Sequence, residues 1–475
     1  MRDLTRRTFL KSSLGTTTLG LTARSWTRVL GANDTIGIAV AGFNGQGRSH
    51  IGAYTKMTGV RIVALCDPDK EVLDRETKKL RDAGSTIEAY TDIRQLLENK
   101  AVDAVTTASP NHWHALLSIW ACQAGKDVYV EKPASHNVWE GRKIVEAARK
   151  YNRIVQTGTQ SRSSPAWKAA LAWVKEGNLG KIKVSRGLCY KRRDSIGKVD
   201  GPQPVPASID YDLWCGPSPK GPLMRKRLHY DWHWVWPTGN GDIGNQGIHQ
   251  MDIARWALGK TEISPRILSV GGRLGYVDDG ETPNTQFVVH DYGDVLLIFE
   301  VRGLPDKTGS QQMDKYRGQS VGNVIECEGG YLAGTVAFDN QGKEIKRFEG
   351  RGEAHHENFI KAVRSRNPSD LNAEILEGHL SSALCHTGNI SHRLGQQASP
   401  GEIREAIKAD KAAMESYERF EAHLAANGVD LNVNKATLGV FLKMDPKKER
   451  FIGNDKANQL LRRDYRAPFV VSEKV

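Results

Sequence analysis

Six small and apolar residues, Ile36 to Ala41, run into the cluster Gly42-Phe43-Asn44-Gly45-Gln46-Gly47, and an amphipathic stretch follows. That is the pattern of a strand, a tight turn and a helix. Read as Gly42-x-Asn44-x-x-Gly47, it nearly matches the turn on which a dinucleotide pyrophosphate rests. Gly42 makes the turn, and Gly47 lets the helix pack on the strand. Unpaired N–H groups and the helix dipole favour an anion there. Asn44 stands where a second glycine is usual. Asn tolerates unusual backbone angles, and Gly45 supplies further freedom.

A second apolar run, residues 60–66, ends at Asp67, twenty positions after Gly47. An acid at that distance and at a strand end hydrogen-bonds ribose hydroxyls and repels a 2′-phosphate. The combination predicts NAD rather than NADP.

The alternation continues. Helical patterns fall at 69–82, 91–99, 111–124 and 138–151, and strand patterns at 102–108, 127–130 and 153–157. The fold class is therefore an α/β Rossmann domain with a doubly wound parallel sheet. In such sheets ligands gather at the C-terminal strand ends. The glycine loop, Asp67, Ser109-Pro110-Asn111 and Glu131-Lys132-Pro133 all fall there. After about residue 160 the pattern changes. A helix over 165–176 precedes period-2 segments at 181–190, 266–274, 285–291, 294–301 and 321–328, which imply an α+β domain with an open, mostly antiparallel sheet. Helical signal returns at 354–364, 373–394 and 402–425. The expected domains are a signal region at 1–32, a dinucleotide domain at 33–160, a sheet domain at 161–395 and an extension at 396–475.

Composition sets limits. At 475 residues the chain suits two or three domains. No run reaches the roughly 20 apolar residues of a membrane span. The net charge is +12, and residues 1–32 hold six bases and one acid, leaving +7 spread over the remainder. That is weak support for nucleic acid. The six cysteines lie far apart without a C-x-x-C pair and read as buried thiols. No cluster of ligands suggests a metal. Thr5-Arg6-Arg7-Thr8-Phe9-Leu10-Lys11 has the twin-arginine pattern, followed by a mildly apolar stretch to Ala23. It predicts export in the folded state, which fits a protein that must acquire a cytoplasmic dinucleotide first.

Three stretches carry chemistry. Lys132, at a strand end beside the expected nicotinamide, can donate to a substrate oxygen and stabilise a developing alkoxide. Asn245, His249 and Asp252 share one helix face if a helix starts at Asn245, and a neutral His249 can take a hydroxyl proton. Asp242 lies one turn earlier. Asp252 orients the imidazole or pairs with Arg255. Residues 194–245 form a long Pro-, Gly- and Trp-rich loop, and such loops are often functional. Within it Trp232, Trp234 and Trp236 share one face if extended, as a platform for sugar rings or as packing between domains. Lys191 and its neighbours Arg192 and Arg193 can hold an anion or remain solvated.

Together with Ser109-Pro110-Asn111-His112-Trp113-His114 and the terminal Tyr465-Arg466-Ala467-Pro468-Phe469, these motifs make the chain similar to the Gfo/Idh/MocA oxidoreductases. It looks most like their exported branch with an extended C-terminus. The resemblance implies hydride transfer between NAD and a sugar, polyol or glycoside, and a homo-oligomer formed through the open sheet. It implies a catalytic set of Lys132, Asn245 and His249. The cofactor contacts it implies are Gly42, Asn44, Gly45, Gly47, Arg48, Asp67, Ser109, Asn111, His114 and Glu131. The implied substrate contacts are Trp232, Trp234, Trp236, Asp242 and Lys191. Asn245 stands where the family has an aspartate, and an amide cannot exchange a proton. Two alternatives follow: glycoside cleavage around a retained NAD, or a non-catalytic NAD-binding sensor.

Overall fold

The computed structural model describes residues 35–475. The twin-arginine stretch lies outside the described residues. Strand β1 (Ile36–Ala41) is wholly buried, as an apolar run without alternation requires in a sheet covered on both faces. With β2 (Val60–Cys66), β3 (Glu88–Tyr90), β4 (Ala104–Thr107), β5 (Asp127–Val130) and β6 (Val155–Thr157) it forms a parallel sheet of order β3-β2-β1-β4-β5-β6. The crossover helices are α1 (Gly47–Thr55), α2 (Lys70–Asp82), α3 (Ile93–Glu98), α4 (Asn111–Gln123) and α5 (Val138–Lys150). Polar residues set several of their starts: Asp69, Asp92 and Asn137 each accept a backbone N–H at an N-terminus. The strand order reverses beside β1, and that switch point opens the crevice where ligands sit.

The second sheet has twelve strands. Its centre is β7 (Ile182–Tyr190), parallel to β10 (Leu296–Arg302) and antiparallel to β11 (Val321–Cys327). β9 (Thr285–Asp291) and β8 (Arg266–Gly272) continue it antiparallel on one side. The hairpins after β11 and short strands near the C-terminus complete the two edges. Helix α6 (Pro165–Lys175) joins the sheets. Its start is set by Ser164, which accepts the Trp167 N–H, and by Pro165 in the first turn.

One face of this sheet packs on the helix Gly247–Leu258 and on the long helix Ile375–Arg393. The long helix returns to the first domain, where Ser382 Oγ accepts the Ala134 N–H (3.0 Å). The stretch 402–425, expected as one helix, is two: Pro400–Ile407 and Lys411–Ala426. Asp410 caps the second by accepting two backbone N–H groups.

The C-terminal extension covers part of the sheet's other face. Tyr417, Phe420 and Leu424 of the helix Lys411–Ala426 pack on Val270, Phe287, Val289 and Ile298 of the opposite face. Arg186, fully buried on β7, donates to Glu415 (2.8 Å) and Ser416 (2.7 Å), and Arg419 pairs with Glu300. The centre of the face expected to carry a homo-oligomer is thus covered by the chain's own extension. All six cysteines are buried and unpaired. No described helix is long and apolar enough to cross a membrane, and no described cluster of three or more His, Cys, Asp or Glu can hold a metal.

Candidate active site

The cleft lies over the C-terminal ends of the parallel strands, with a volume of about 610 Å³. The glycine loop forms its floor. Gly42 has φ +72°, and a Cβ there would sit 2.6 Å from the Ser109 backbone. A Cβ on Gly47 would lie 2.1 Å from the Gly42 carbonyl oxygen, so α1 reaches the strand only because Gly47 has none. A Cβ on Gly45, by contrast, would meet nothing within 4 Å. The backbone N–H groups of Asn44, Gly45 and Gln46 have no acceptor among the described residues, and α1 has no side-chain cap. Open donors at a helix N-terminus fit a pyrophosphate. Gly47 is buried beneath the loop, and Arg48 is exposed outside the cleft lining.

Asp67 lines the cleft at the end of β2. Its two carboxylate oxygens accept the N–H groups of Phe43 (3.1 Å) and Asp69 (3.0 Å), tying the glycine loop to the second strand. Burial pushes this carboxyl up to about 6, against those two N–H groups, which favour the charged form.

The Glu131-Lys132-Pro133 turn forms the opposite wall, and its Lys132–Pro133 peptide is cis. Glu131 is buried, which alone would raise its carboxyl. His50 (3.0 Å) and the nearby Lys132 overcome this and hold it well below the usual carboxylate range. Glu131 also accepts the Lys132 N–H (3.1 Å) and Gln160 Nε2 (3.2 Å). The His114 ring spans the carbonyls of Pro133 (2.6 Å) and Ser109 (2.8 Å), joining two loops of the cleft. Burial lowers its pKa, while the two carbonyls, one at each ring nitrogen, favour the protonated ring that can donate to both. Asn111 also lines the cleft and donates to Asn240 (2.9 Å).

Lys132 points across the cleft and donates Nζ to the backbone carbonyl of Asn245 (3.0 Å). That carbonyl is free because the helix does not start at Asn245. A short helix, Gly241–Gly244, ends there, Asn245 turns with φ −88° and ψ −83°, and the next helix begins at Gly247. Burial lowers the Lys132 pKa, with Glu131 and Asp242 opposing. The Asn245 amide faces Asp242, with Nδ2 3.5 Å from Oδ1. His249 lines the cleft, and its ring makes no hydrogen bond among the described residues. Burial, aided by Lys132, drops its pKa to about 3, which leaves it neutral and able to accept a proton.

Asp252 does not orient His249. It takes Arg162 Nε (2.8 Å) and Ser381 Oγ (2.7 Å), and Arg255 is 3.9 Å away. Asp242 is gripped by two Arg193 nitrogens (2.8 Å each) and is not free to act as a base. Lys191, outside the cleft lining, reaches Gln246 Oε1 (2.9 Å) at the rim.

The tryptophans are not a strand. Asp231–Trp234 is a 3-10 turn, so alternate residues diverge. Trp232 alone lines the cleft. Trp234 is buried beneath Arg193, and Trp236 lies under Arg393 in a separate cavity. His233 was not legible in the sequence. It lines the cleft, stacks on Trp232 with centroids 3.6 Å apart, and donates Nδ1–H to the Tyr230 carbonyl. Burial drops its pKa to about 3, so the ring is neutral with Nε2 as the acceptor.

The 194–245 loop straps the cleft. Ser208 accepts the Lys70 N–H (2.8 Å), Pro68 accepts that of Asp210 (3.0 Å), and His229 meets Asp69 (3.0 Å). Trp113 Nε1 donates to the carbonyls of Leu213 and Trp214 (3.1 Å each). Leu213, Trp214, His229, Tyr230 and Trp232 thereby face the glycine loop across the cleft.

Residues 36–159 match the profile described as an oxidoreductase family, NAD-binding Rossmann fold, and residues 170–307 match that family's C-terminal alpha/beta domain. Levoglucosan dehydrogenase from Pseudarthrobacter phenanthrenivorans is 26% identical over 285 residues, 56% of this chain and 65% of that protein. Inositol 2-dehydrogenase 1 from Saccharopolyspora erythraea is 32% identical over 28% of this chain and 39% of its own length. A glycosyl hydrolase family 109 protein from Shewanella pealeana is 32% identical over 24% and 26%. The chain thus spans less than two thirds of these relatives' own length. Among solved structures, the WlbA dehydrogenase from Chromobacterium violaceum with NADH and UDP-GlcNAcA superposes with a TM-score of 0.58 at 18% identity, over 77% of this chain and 96% of that one. At that identity the likeness speaks to fold. With both of its domains matched over more than half its length, the chain belongs to the Gfo/Idh/MocA oxidoreductase family.

Proposed function

We propose that this protein is an NAD-dependent oxidoreductase acting on a CH–OH group of a sugar, polyol or glycoside. The observation that carries this is Lys132, held by the Asn245 carbonyl, and a neutral His249 in the same cleft as the glycine loop and Asp67. NAD bound there would accept a hydride from the substrate carbon. Asn44, Gly45 and Gln46 offer N–H groups to the pyrophosphate, and Asp67 offers carboxylate oxygens to ribose hydroxyls. Lys132 donates to the reacting oxygen, and His249 accepts the hydroxyl proton. The dehydrogenases of sugars and inositol among the relatives support this substrate class.

A second reading draws on the strap over residues 206–216 and 229–234. It covers the cofactor cleft from the side opposite the sheet, which supports an NAD that stays bound between turnovers. Such a retained cofactor suits glycoside cleavage by transient oxidation, elimination and re-reduction, and relatives named as glycosyl hydrolases support it. The Asn245 amide supports a third reading, a sensor that binds NAD without turnover. Export of the folded, NAD-loaded protein by the twin-arginine route is part of the proposal.

One experiment separates the readings. Purified protein with measured NAD content is offered monosaccharides, inositols and glycosides while NADH and released aglycone are followed. NADH released into solution supports the dehydrogenase. Aglycone release without net NADH supports the retained cofactor. Neither product, with NAD bound, refutes both and leaves the sensor.

A further inference from the structure

The motif Tyr465-Arg466-Ala467-Pro468-Phe469 takes no part in the chemistry proposed above, yet the fold places it directly behind the cofactor cleft. Residues 465–475 lie on the first domain. Phe469, Val471 and Val475 are buried in the same core cluster as β1 and α4. Phe469 stands edge-on to Trp113, with ring centroids 5.5 Å apart. Trp113 lines the cleft, and its Nε1 holds the Leu213 and Trp214 carbonyls of the strap.

Arg466 reaches the strap itself. One guanidinium nitrogen donates to Asp212 Oδ1 (2.9 Å), and the other to the carbonyls of Asp212 (2.8 Å) and Gly216 (3.0 Å). Both carbonyls belong to the short helix Tyr211–Cys215 and its cap. A planar fork suits such a group of acceptors, and its charge makes these bonds stronger than neutral ones. The guanidinium also lies 4.9 Å from the Phe469 ring centroid, so the buried ring fixes its aim. Asp212 accepts Lys220 as well (3.0 Å), but that pair is exposed and weighs little. The strap backbone is pressed tightly onto the first domain: a Cβ on Gly216 would sit 2.3 Å from the Trp113 ring.

This strap segment walls the adenosine end of the cleft. Leu213 and Trp214 line it, and the Ser208 and Asp210 bonds fasten it to Lys70 and Pro68, just beyond Asp67. A dinucleotide whose ribose meets Asp67 is released only as this wall moves, and such motions commonly set release rates. We propose that the terminal motif is a latch on the cofactor: Arg466 and Phe469 are positioning residues that hold the Tyr211–Gly216 segment over the adenosine end of NAD and slow its release. The proposal rests on NAD occupying the cleft, and not on which reaction follows.

The test is the rate at which the full chain releases NADH. Protein loaded with NADH is mixed with excess NAD, and the loss of NADH fluorescence excited through tryptophan is followed by stopped flow. Arg466→Gln and Phe469→Ala each speed release at least fivefold with association little changed, because the lost contact acts on the bound state. Asp212→Ala, on the strap side, speeds release too, and Arg466→Gln adds little on top of it, since the two share one contact. Arg462→Gln, which removes a pair with Glu473 and no strap contact, leaves the rate unchanged. The Tm of Arg466→Gln and Asp212→Ala stays at the wild-type value. Equal release rates in wild type, Arg466→Gln and Asp212→Ala overturn the proposal. So does faster release confined to variants whose Tm has fallen, which would make the motif a folding element alone. A wild type that binds no NADH overturns the cofactor assignment along with it. The wild-type rate by itself bears on whether NAD is retained between turnovers, and only the ratio of rates bears on the latch.

Discussion

Replacing Asp67 with serine tests the cofactor assignment most directly. A 2′-phosphate would meet a carboxylate where a ribose hydroxyl meets an acceptor. Two unit charges about 4 Å apart repel by about 4 kcal/mol at an effective dielectric near 20. The open N–H groups of the glycine loop and solvent at the cleft mouth reduce this, so a net penalty of about 1–3 kcal/mol is expected, or roughly 5- to 150-fold in affinity. Asp67→Ser removes the charge, and the ratio of NADP to NAD dissociation constants should fall by that factor. Losing the bonds to Phe43 and Asp69 loosens the loop for both cofactors by about 1 kcal/mol and cancels in the ratio. The carboxyl pKa of about 6 adds a pH signature. Above pH 6 the group is charged and discriminates. As pH falls through 6 it takes up a proton, the repulsion is lost, and the wild-type ratio should shrink toward that of the variant. Fluorescence titration with NADH and NADPH from pH 5 to 8, on protein stripped of cofactor, measures this. Tighter NADP than NAD binding by wild type, or a ratio unmoved by both Asp67→Ser and pH, would refute the assignment.

Lys132→Met should lower turnover by about 10²- to 10⁴-fold with NAD affinity little changed, checked by kcat alongside cofactor titration. His249→Ala should do the same, and full activity in that variant would transfer the base role to His233, whose tautomer is set by Tyr230; His233→Ala is the paired measurement. Asn245→Asp would place a second carboxyl about 3.5 Å from Asp242, so mutual repulsion should favour its protonated form, and with the main-chain carbonyl still on Lys132, steady-state NADH formation should change little. Gly47→Ala puts a methyl 2.1 Å from the Gly42 carbonyl and should cost several kcal/mol, seen as a lower Tm and lost NAD binding. With Tyr417 and Phe420 covering the centre of that sheet face, the protein should run as a monomer in light scattering, and a stable dimer would refute this.

Much of this molecule is written in short-range patterns. Ile36 to Gly47, Asp67 and Glu131-Lys132-Pro133 are legible because each depends on local rules: an apolar run for a buried strand, glycines where backbone must approach backbone, and polar groups at strand ends. Their arrival at one cleft follows from the parallel topology that alternation imposes. Local pattern fails where partners are distant. The spacing of Asn245, His249 and Asp252 suits one helix face, yet the chain breaks at Asn245 and turns its carbonyl to Lys132, while Asp252 is claimed by Arg162 and Ser381. Alternating tryptophans look like a strand, yet residues 231–234 form a 3-10 turn and only Trp232 reaches the cleft. The cover over the second sheet depends on Tyr417 and Phe420, more than a hundred residues from the strands they meet. Residue type and spacing decided which chemistry the chain can carry. Tertiary packing decided which of those groups are free to perform it, because a buried carboxylate or guanidinium takes whatever partner the fold brings near, and sequence distance sets no limit on that choice.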